Sequence, residues 1–164
     1  MIFRETQRMI SHWWIFILLG LSSLVAGSQF VQQYQAGELS VEMLVVLVVV
    51  FTLAIALIIL IKLEIEIKNK ALHYRFVPFI WSWRKIRAEE ITSYEFKKVS
   101  PLTDFGGYGY RWTPKRGPGY IIDGDYALYL TYGKKPKRLT LTIDQYERCK
   151  AALDHIMISK KDHG

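Results

Sequence analysis

Among 164 residues there is one cysteine, Cys149. A lone thiol closes no internal disulfide and builds no zinc site by itself. Histidine is scarce too, limited to His12, His73, His155 and His163. No two of these are four residues apart, and none stands at ligand spacing from Cys149, so neither a metal nor a cofactor is expected. Gly-x-Ser-x-Gly, a Gly-Lys-Ser/Thr phosphate loop and a recognisable Cys–His dyad are also missing. The chain is therefore read as non-enzymatic.

Charge is missing from two long stretches. Residues 13–30 carry none, and neither do residues 43–61, which also lack Pro and Gly. At 1.5 Å per residue the first stretch makes roughly 27 Å of helix, close to the thickness of a hydrocarbon core. The second shows no polar stripe, which a core helix of a small soluble domain needs. We expect two transmembrane helices, spanning about 13–31 and 43–61, in an N-terminal hairpin of residues 1–61. A secretory leader is the alternative for the first, with Arg4 and Arg8 ahead of it and Ala26, Gly27 and Ser28 at a possible cleavage site. Trp13 and Trp14 at its start favour a retained, interface-anchored helix.

Between the stretches, residues 31–42 contain Glu38 and Glu42 but no Lys or Arg. Arg4 and Arg8 precede the first stretch, and Lys62, Lys68 and Lys70 follow the second. The positive-inside rule then puts both termini in the cytoplasm. Ser22/Ala26 and Ser23/Gly27 are small-xxx-small pairs that let helices approach closely. Packing within the hairpin is the simpler use of Ser23 and Gly27, and homo-oligomer contact the other.

From Lys62 the period changes to two. Leu63, Ile65 and Ile67 alternate with Glu64, Glu66 and Lys68, and Leu72, Tyr74 and Phe76 follow after Asn69-Lys70, predicting a hairpin. Further strands are expected over 79–86, 92–99, 108–112, 120–122, 127–132 and 139–142, with turns at 114–119, 123–125 and 133–138. Thr142 and Gln145 have capping-box spacing for a final helix ending near Ile158. Its apolar stripe runs through Ile143, Tyr146, Leu153 and Ile156, with Cys149 beside it as a buried thiol. A sheet this small needs a cover, so residues 62–164 are expected to curl about seven strands and plug them with this helix.

Several of these residues resemble a family. Two apolar helices followed by Leu63–Phe76, Glu90-Ile91, Phe105-Gly106-Gly107-Tyr108-Gly109-Tyr110-Arg111, Gly119-Tyr120 and Gly124 resemble small bacterial membrane proteins with a PH-like domain. The resemblance covers essentially the whole chain. It implies an α+β membrane protein whose domain is a bent antiparallel β-barrel capped by a C-terminal helix. It makes Gly106, Gly107, Gly109 and Arg111 the structural motif, and implies little about function. A β-bulge or tight corner is the physical reading of those glycines.

What remains is positive charge. Residues 62–164 hold 20 Lys and Arg against 12 Asp and Glu. Lys115 and Arg116 share one turn, and Lys134, Lys135, Lys137 and Arg138 another. These are the candidate contacts for anionic lipid or a protein partner, against the alternative of solvated loop charge. Nucleic acid fits the charge but not the location. The function expected is a plasma-membrane scaffold, multi-pass at the inner membrane of a bacterium, whose cytoplasmic domain binds proteins or lipid head groups. The alternative is an assembly or regulatory subunit acting through the hairpin.

Overall fold

A computed structural model describes residues 3–11, 13–37, 41–114 and 116–161. It falls into two units, residues 9–60 and the remainder. In the first unit a 3-10 turn, Met9–Ser11, precedes helices α1 (Trp13–Gln35) and α2 (Val41–Leu60). Both are long and apolar enough to cross a membrane by length and composition. Leu18, Leu24, Val46 and Leu53 on them are exposed. A Cβ added at Gly27 meets nothing within 4 Å, and the half-buried Ser23 donates its hydroxyl back to Leu19 O.

The second unit opens with a strand that no hydrophobic alternation announces. β1 (Phe3–Arg8) pairs antiparallel with β2 (Lys62–Lys68), setting Phe3 opposite Ile67 and Arg8 opposite Lys62. A boundary at residue 61 therefore misassigns residues 3–8, which belong to the sheet. The physical reason is that the buried positions of β1 are Phe3, Glu5 and Gln7, and two of these are polar.

β3 (Ala71–Val77) and β4 (Ile80–Arg87) complete an antiparallel sheet in the order β1-β2-β3-β4. Asn69 and Lys70 have φ of 51° and 56°, the left-handed pair that a two-residue hairpin turn uses. After a 3-10 turn, Ala88–Glu90, come β5 (Ile91–Lys98), the short helix α3 (Pro101–Phe105), β6 (Gly109–Thr113), β7 (Gly117–Ile121), β8 (Tyr126–Tyr132) and β9 (Lys137–Ile143). These strands form a second sheet, β5-β8-β9-β7-β6, in which only β7 and β9 run parallel. Helix α4 (Tyr146–Lys161) closes the chain and runs past the expected end at Ile158.

The architecture is α+β, but the barrel expected for it is not closed. Among the described residues nine strands lie in two sheets, and no ladder joins one sheet to the other. The chain rounds the corner by a turn instead: Ala88 N–H donates to Lys70 O at 2.9 Å, and Gly133 N–H to Glu90 O at 2.8 Å. The inner faces share one core. Ile65, Ile67, Leu72 and Phe76 come from the first sheet, Leu128, Leu130, Leu139 and Leu141 from the second, and Cys149, Ala152, Leu153 and Ile156 from α4. Burial pushes the Cys149 thiol far above its ordinary range, with Glu5 adding to the shift. The Tyr94 hydroxyl donates to Asp154 Oδ1 at 2.5 Å, tying β5 to α4. That bond, with burial, pushes the phenol up to about 12.

The expected capping box does not form, because Thr142 is engaged elsewhere. Its hydroxyl donates to Gln7 Oε1 at 2.9 Å and accepts from Ile122 N–H at 3.1 Å. The end of α4 is served from β1. Glu5 Oε1 accepts from Asp144 N–H at 3.0 Å and Oε2 from Gln145 N–H at 2.9 Å, so a carboxylate stands at the positive end of the helix. Gln7 Nε2 donates to Thr142 O at 2.8 Å, and its Oε1 also accepts from Asp123 N–H at 3.0 Å.

On the outer face of the first sheet Glu64 is held between Arg75 and Lys62. Burial pushes its carboxyl up, but the hydrogen bonds and charges of Arg75 and Lys62 outweigh this and leave it below the ordinary carboxylate value. A carboxyl lowered on folding stabilises the fold above its unfolded pKa, and the contribution disappears as pH falls through the lower folded value. Glu64→Gln is thus expected to flatten the acid limb of a stability-versus-pH curve for the detergent-solubilised chain. Glu5→Ala leaves two amides without their acceptor and is expected to cost about 1–3 kcal/mol, read as a fall in the urea midpoint at neutral pH.

Candidate functional site

The registers of the second sheet put Glu95, Tyr129, Thr140, Gly119 and Arg111 in one row across all five strands. They occupy the face opposite Leu128, Leu130, Leu139 and Leu141, because side chains alternate along a strand. One step along each strand lie Ser93, Thr131, Arg138, Gly117 and Thr113. Gly117 and Gly119 contribute no side chain, so β7 is the floor of a trough. The cleft has a volume of about 610 Å³ and is lined by Asp104, Phe105, Arg111, Arg116, Gly117, Gly119 and Thr140, among others. Two hollows of about 250 and 370 Å³ share its Arg116 and its Gly117, and each of them also touches Arg138.

Gly117 is what brings the two basic turns together. Its φ is +69°, and a Cβ there would lie 2.6 Å from Arg138 O. Only glycine lets the β6–β7 turn come this close to β9. Arg116 then lies between two aromatic rings, 5.7 Å from the Phe105 centroid and 5.4 Å from that of Tyr129. Lys97 Nζ is 6.0 Å from the same Tyr129 ring. Cations over ring faces are attracted by the ring quadrupole. Burial raises the Tyr129 phenol above its ordinary value, Asp104 and Glu95 push the same way, and Arg116 and Lys97 oppose them.

The Gly-rich motif builds the rim. Gly106, at φ +70°, ends α3, and Gly107 N–H donates to Pro101 O at 2.9 Å. Arg111 Nη2 donates to Gly106 O at 3.1 Å and lies where a Gly107 Cβ would be, 2.8 Å away. This is a tight corner folded under an arginine, as the residues suggested, and it leaves Arg111 lining the cleft. The two acids nearby are engaged: Asp104 accepts from Ser100 N–H at 2.6 Å, and Glu95 pairs with Lys97 at 3.3 Å. The Thr140 hydroxyl at the floor is buried without a hydrogen-bond partner. No group of three or more His, Cys, Asp and Glu fit to hold a metal occurs among the described residues.

Of the candidate cations, Arg116, Lys137 and Arg138 line this cleft or the adjoining hollows. Lys134 and Lys135 are exposed in the β8–β9 turn and do not line them, and Lys115 lies outside the described residues. Gly117, Tyr129 and Thr140 were not singled out from sequence, and Phe105 entered only as the first residue of the Gly-rich motif. Tyr129 left a signal, since it is the outward aromatic between Leu128 and Leu130 in an alternating strand. The basic β8–β9 turn sits beside Glu90, next to the Asn69-Lys70 end of the first sheet. Counted along β2 from Lys62, that end is about 20 Å from the strand's start, more than two Debye lengths at physiological salt.

No protein-family model, curated protein or solved structure matches the chain. The site therefore has to be read from its own chemistry: an open, cationic, partly aromatic trough.

Gly117→Ala is expected to cost about 1–3 kcal/mol in urea unfolding, because the strained φ and the Arg138 carbonyl both oppose a Cβ. The matched control is Gly119→Ala, whose Cβ meets Arg111 O at 3.4 Å and lies in an ordinary negative-φ strand. It is expected to cost clearly less.

Proposed function

We propose that the chain is a membrane-anchored, non-enzymatic interaction protein. In this reading α1 and α2 span the plasma membrane of a bacterium, and a PH-like domain lies in the cytoplasm. Its basic cleft receives an acidic segment of a protein partner. The observation that carries the last point is Arg116, held over two aromatic rings in a cleft that Arg111 also lines, with Arg138 in the adjoining hollow. A protein segment is preferred to anionic head groups of the chain's own leaflet because about 20 Å of strand separates the basic turn from Lys62, and salt screens such charges.

Three further features support the topology. Arg8 pairs with Lys62, so the residues just before α1 and just after α2 belong to one sheet. A chain that leaves and returns to one sheet has both termini on one side of a bilayer. Cleavage near Ser28 would also strip β1, with Glu5 and Gln7, from the folded domain. Finally, Arg4, Arg8, Lys62, Lys68 and Lys70 flank the helices on this side, and none of the residues 31–42 is basic. The PH-like assignment draws on the motif resemblance, the two facing sheets and the terminal helix packed on β1 and β2.

The second reading, an assembly subunit acting through the hairpin, is favoured by one observation. Gly27 has open space at its Cβ position, as a site for another helix would. Gly27→Leu should then abolish co-purification of a membrane partner while leaving the cleft intact.

The full-length protein in phosphatidylcholine nanodiscs should bind a fluorescent hexaglutamate peptide at low salt. Arg116→Glu with Arg138→Glu should weaken this about tenfold or more. No binding by the unaltered chain, or equal binding by the double variant, would sink the cleft reading. An alkaline phosphatase fused to the C-terminus should be inactive, and activity there would overturn the cytoplasmic assignment.

A further inference from the structure

At the other end of the first sheet lies an exposed aromatic run that the cleft does not use. Phe79 is 63% and Trp81 66% exposed, although both flank the fully packed inner face of β3 and β4. Phe79 is held in place by stacking on Phe76, with ring centroids 5.7 Å apart. Trp83, next on the same side of β4, carries the Arg75 guanidinium 4.7 Å from its ring centroid. These residues are therefore a positioned group rather than a loose tip.

Their place in the register says what they meet. Val77 pairs with Lys62, and Phe76 with Ile80, so Phe79 occupies the turn beside Lys62. Lys62 follows Leu60, the last residue of α2, by two residues. On its other side Lys62 pairs with Arg8, which leads through Met9–Ser11 towards α1. The aromatic turn thus stands at the one edge of the sheet through which the chain passes into its two apolar helices. Trp and other amphipathic aromatics favour the headgroup boundary, and long cationic side chains reach the same layer. Phe79 and Trp81, beside Arg8, Lys62 and Arg75, have that composition.

We propose that the β3–β4 turn is a third membrane contact, with Phe79 and Trp81 seated in the headgroup–acyl boundary of the leaflet from which α2 emerges. The inference rests on reading α1 and α2 as bilayer spans. The turn then fixes one end of the domain to the bilayer, where two short connections alone leave it free to swing.

The test uses the full-length chain in phosphatidylcholine–phosphatidylglycerol vesicles. An environment-sensitive dye is placed on Phe79→Cys, on Trp81→Cys and, at the other end of the sheets, on Lys135→Cys. The native Cys149 is buried and stays unlabelled. The dyes at 79 and 81 should emit to the blue of the dye at 135, lose most of their quenching by aqueous iodide, and be quenched by lipids with a nitroxide near the head group. Trp81→Cys keeps the test open if Phe79→Cys misfolds, because Phe79 alone stacks on the core. Iodide quenching at 79 and 81 equal to that at 135 overturns the proposal. Equal protection at all three sites overturns it too, since the turn would then have no special contact. Alkaline carbonate extraction separates the premise from the inference. Release of the protein from membranes removes the spans and the proposal together, whereas retention with wet dyes at 79 and 81 removes only the proposal.

Discussion

The fold depends on two polar side chains of the first strand. Glu5 and Gln7 are buried, and a buried carboxylate or amide is costly unless its hydrogen-bonding groups are met. Here they are met by three different parts of the chain. Glu5 takes the amides of Asp144 and Gln145 ahead of α4, and Gln7 bridges Thr142 on β9 to Asp123 in the turn between β7 and β8. Each partner is also satisfied by the arrangement, so displacing any one element leaves buried polar groups unpaired elsewhere. The covalent consequence is equally strong. The strand carrying Glu5 and Gln7 reaches its place only if residues 9–60 leave the sheet and come back to the same edge, as the Arg8–Lys62 pair requires. The apolar helices thus stand between two paired strands, β1 and β2, of one folded unit.

This explains which parts of the fold were legible in the sequence. Strands β2, β3 and β8 set apolar residues against polar ones with period two and are legible from that alternation, and β9 as the strand returning after the basic turn. α1 and α2 were legible as stretches without charge. β1 was not, because its inward side chains suit a polar network and not an oily core. β7 was read as a turn through Gly119, since Gly-Pro-Gly is turn chemistry; it is a strand because Gly117 and Gly119 let it lie close against β9 and under Arg111. The helix cap was misread for the same kind of reason. Thr142 and Gln145 have the right local spacing, yet Thr142 is claimed by Gln7, and the acceptor that serves the helix comes from 139 residues away in sequence. Local pattern identifies elements with a local cause, and long-range polar contacts leave no local pattern.

The candidate site follows the same division. Both basic turns were visible as charge, and the Gly-rich segment as a corner. Their meeting was not visible, because it depends on a single missing Cβ at Gly117 and on a parallel pairing of β7 with β9. Charge is also sorted by partner. On the first sheet Glu64 and Glu66 hold Lys62, Arg75 and Lys68 in ion pairs. On the second sheet Asp104 accepts from a backbone amide and Glu95 pairs with Lys97, while Arg116 lies over the Phe105 and Tyr129 rings and Arg111 donates to the Gly106 carbonyl. A net surplus of positive charge says little about function when it is spread over a surface. Gathered on one face of one sheet by the close approach at Gly117, it gives that trough a defined sign.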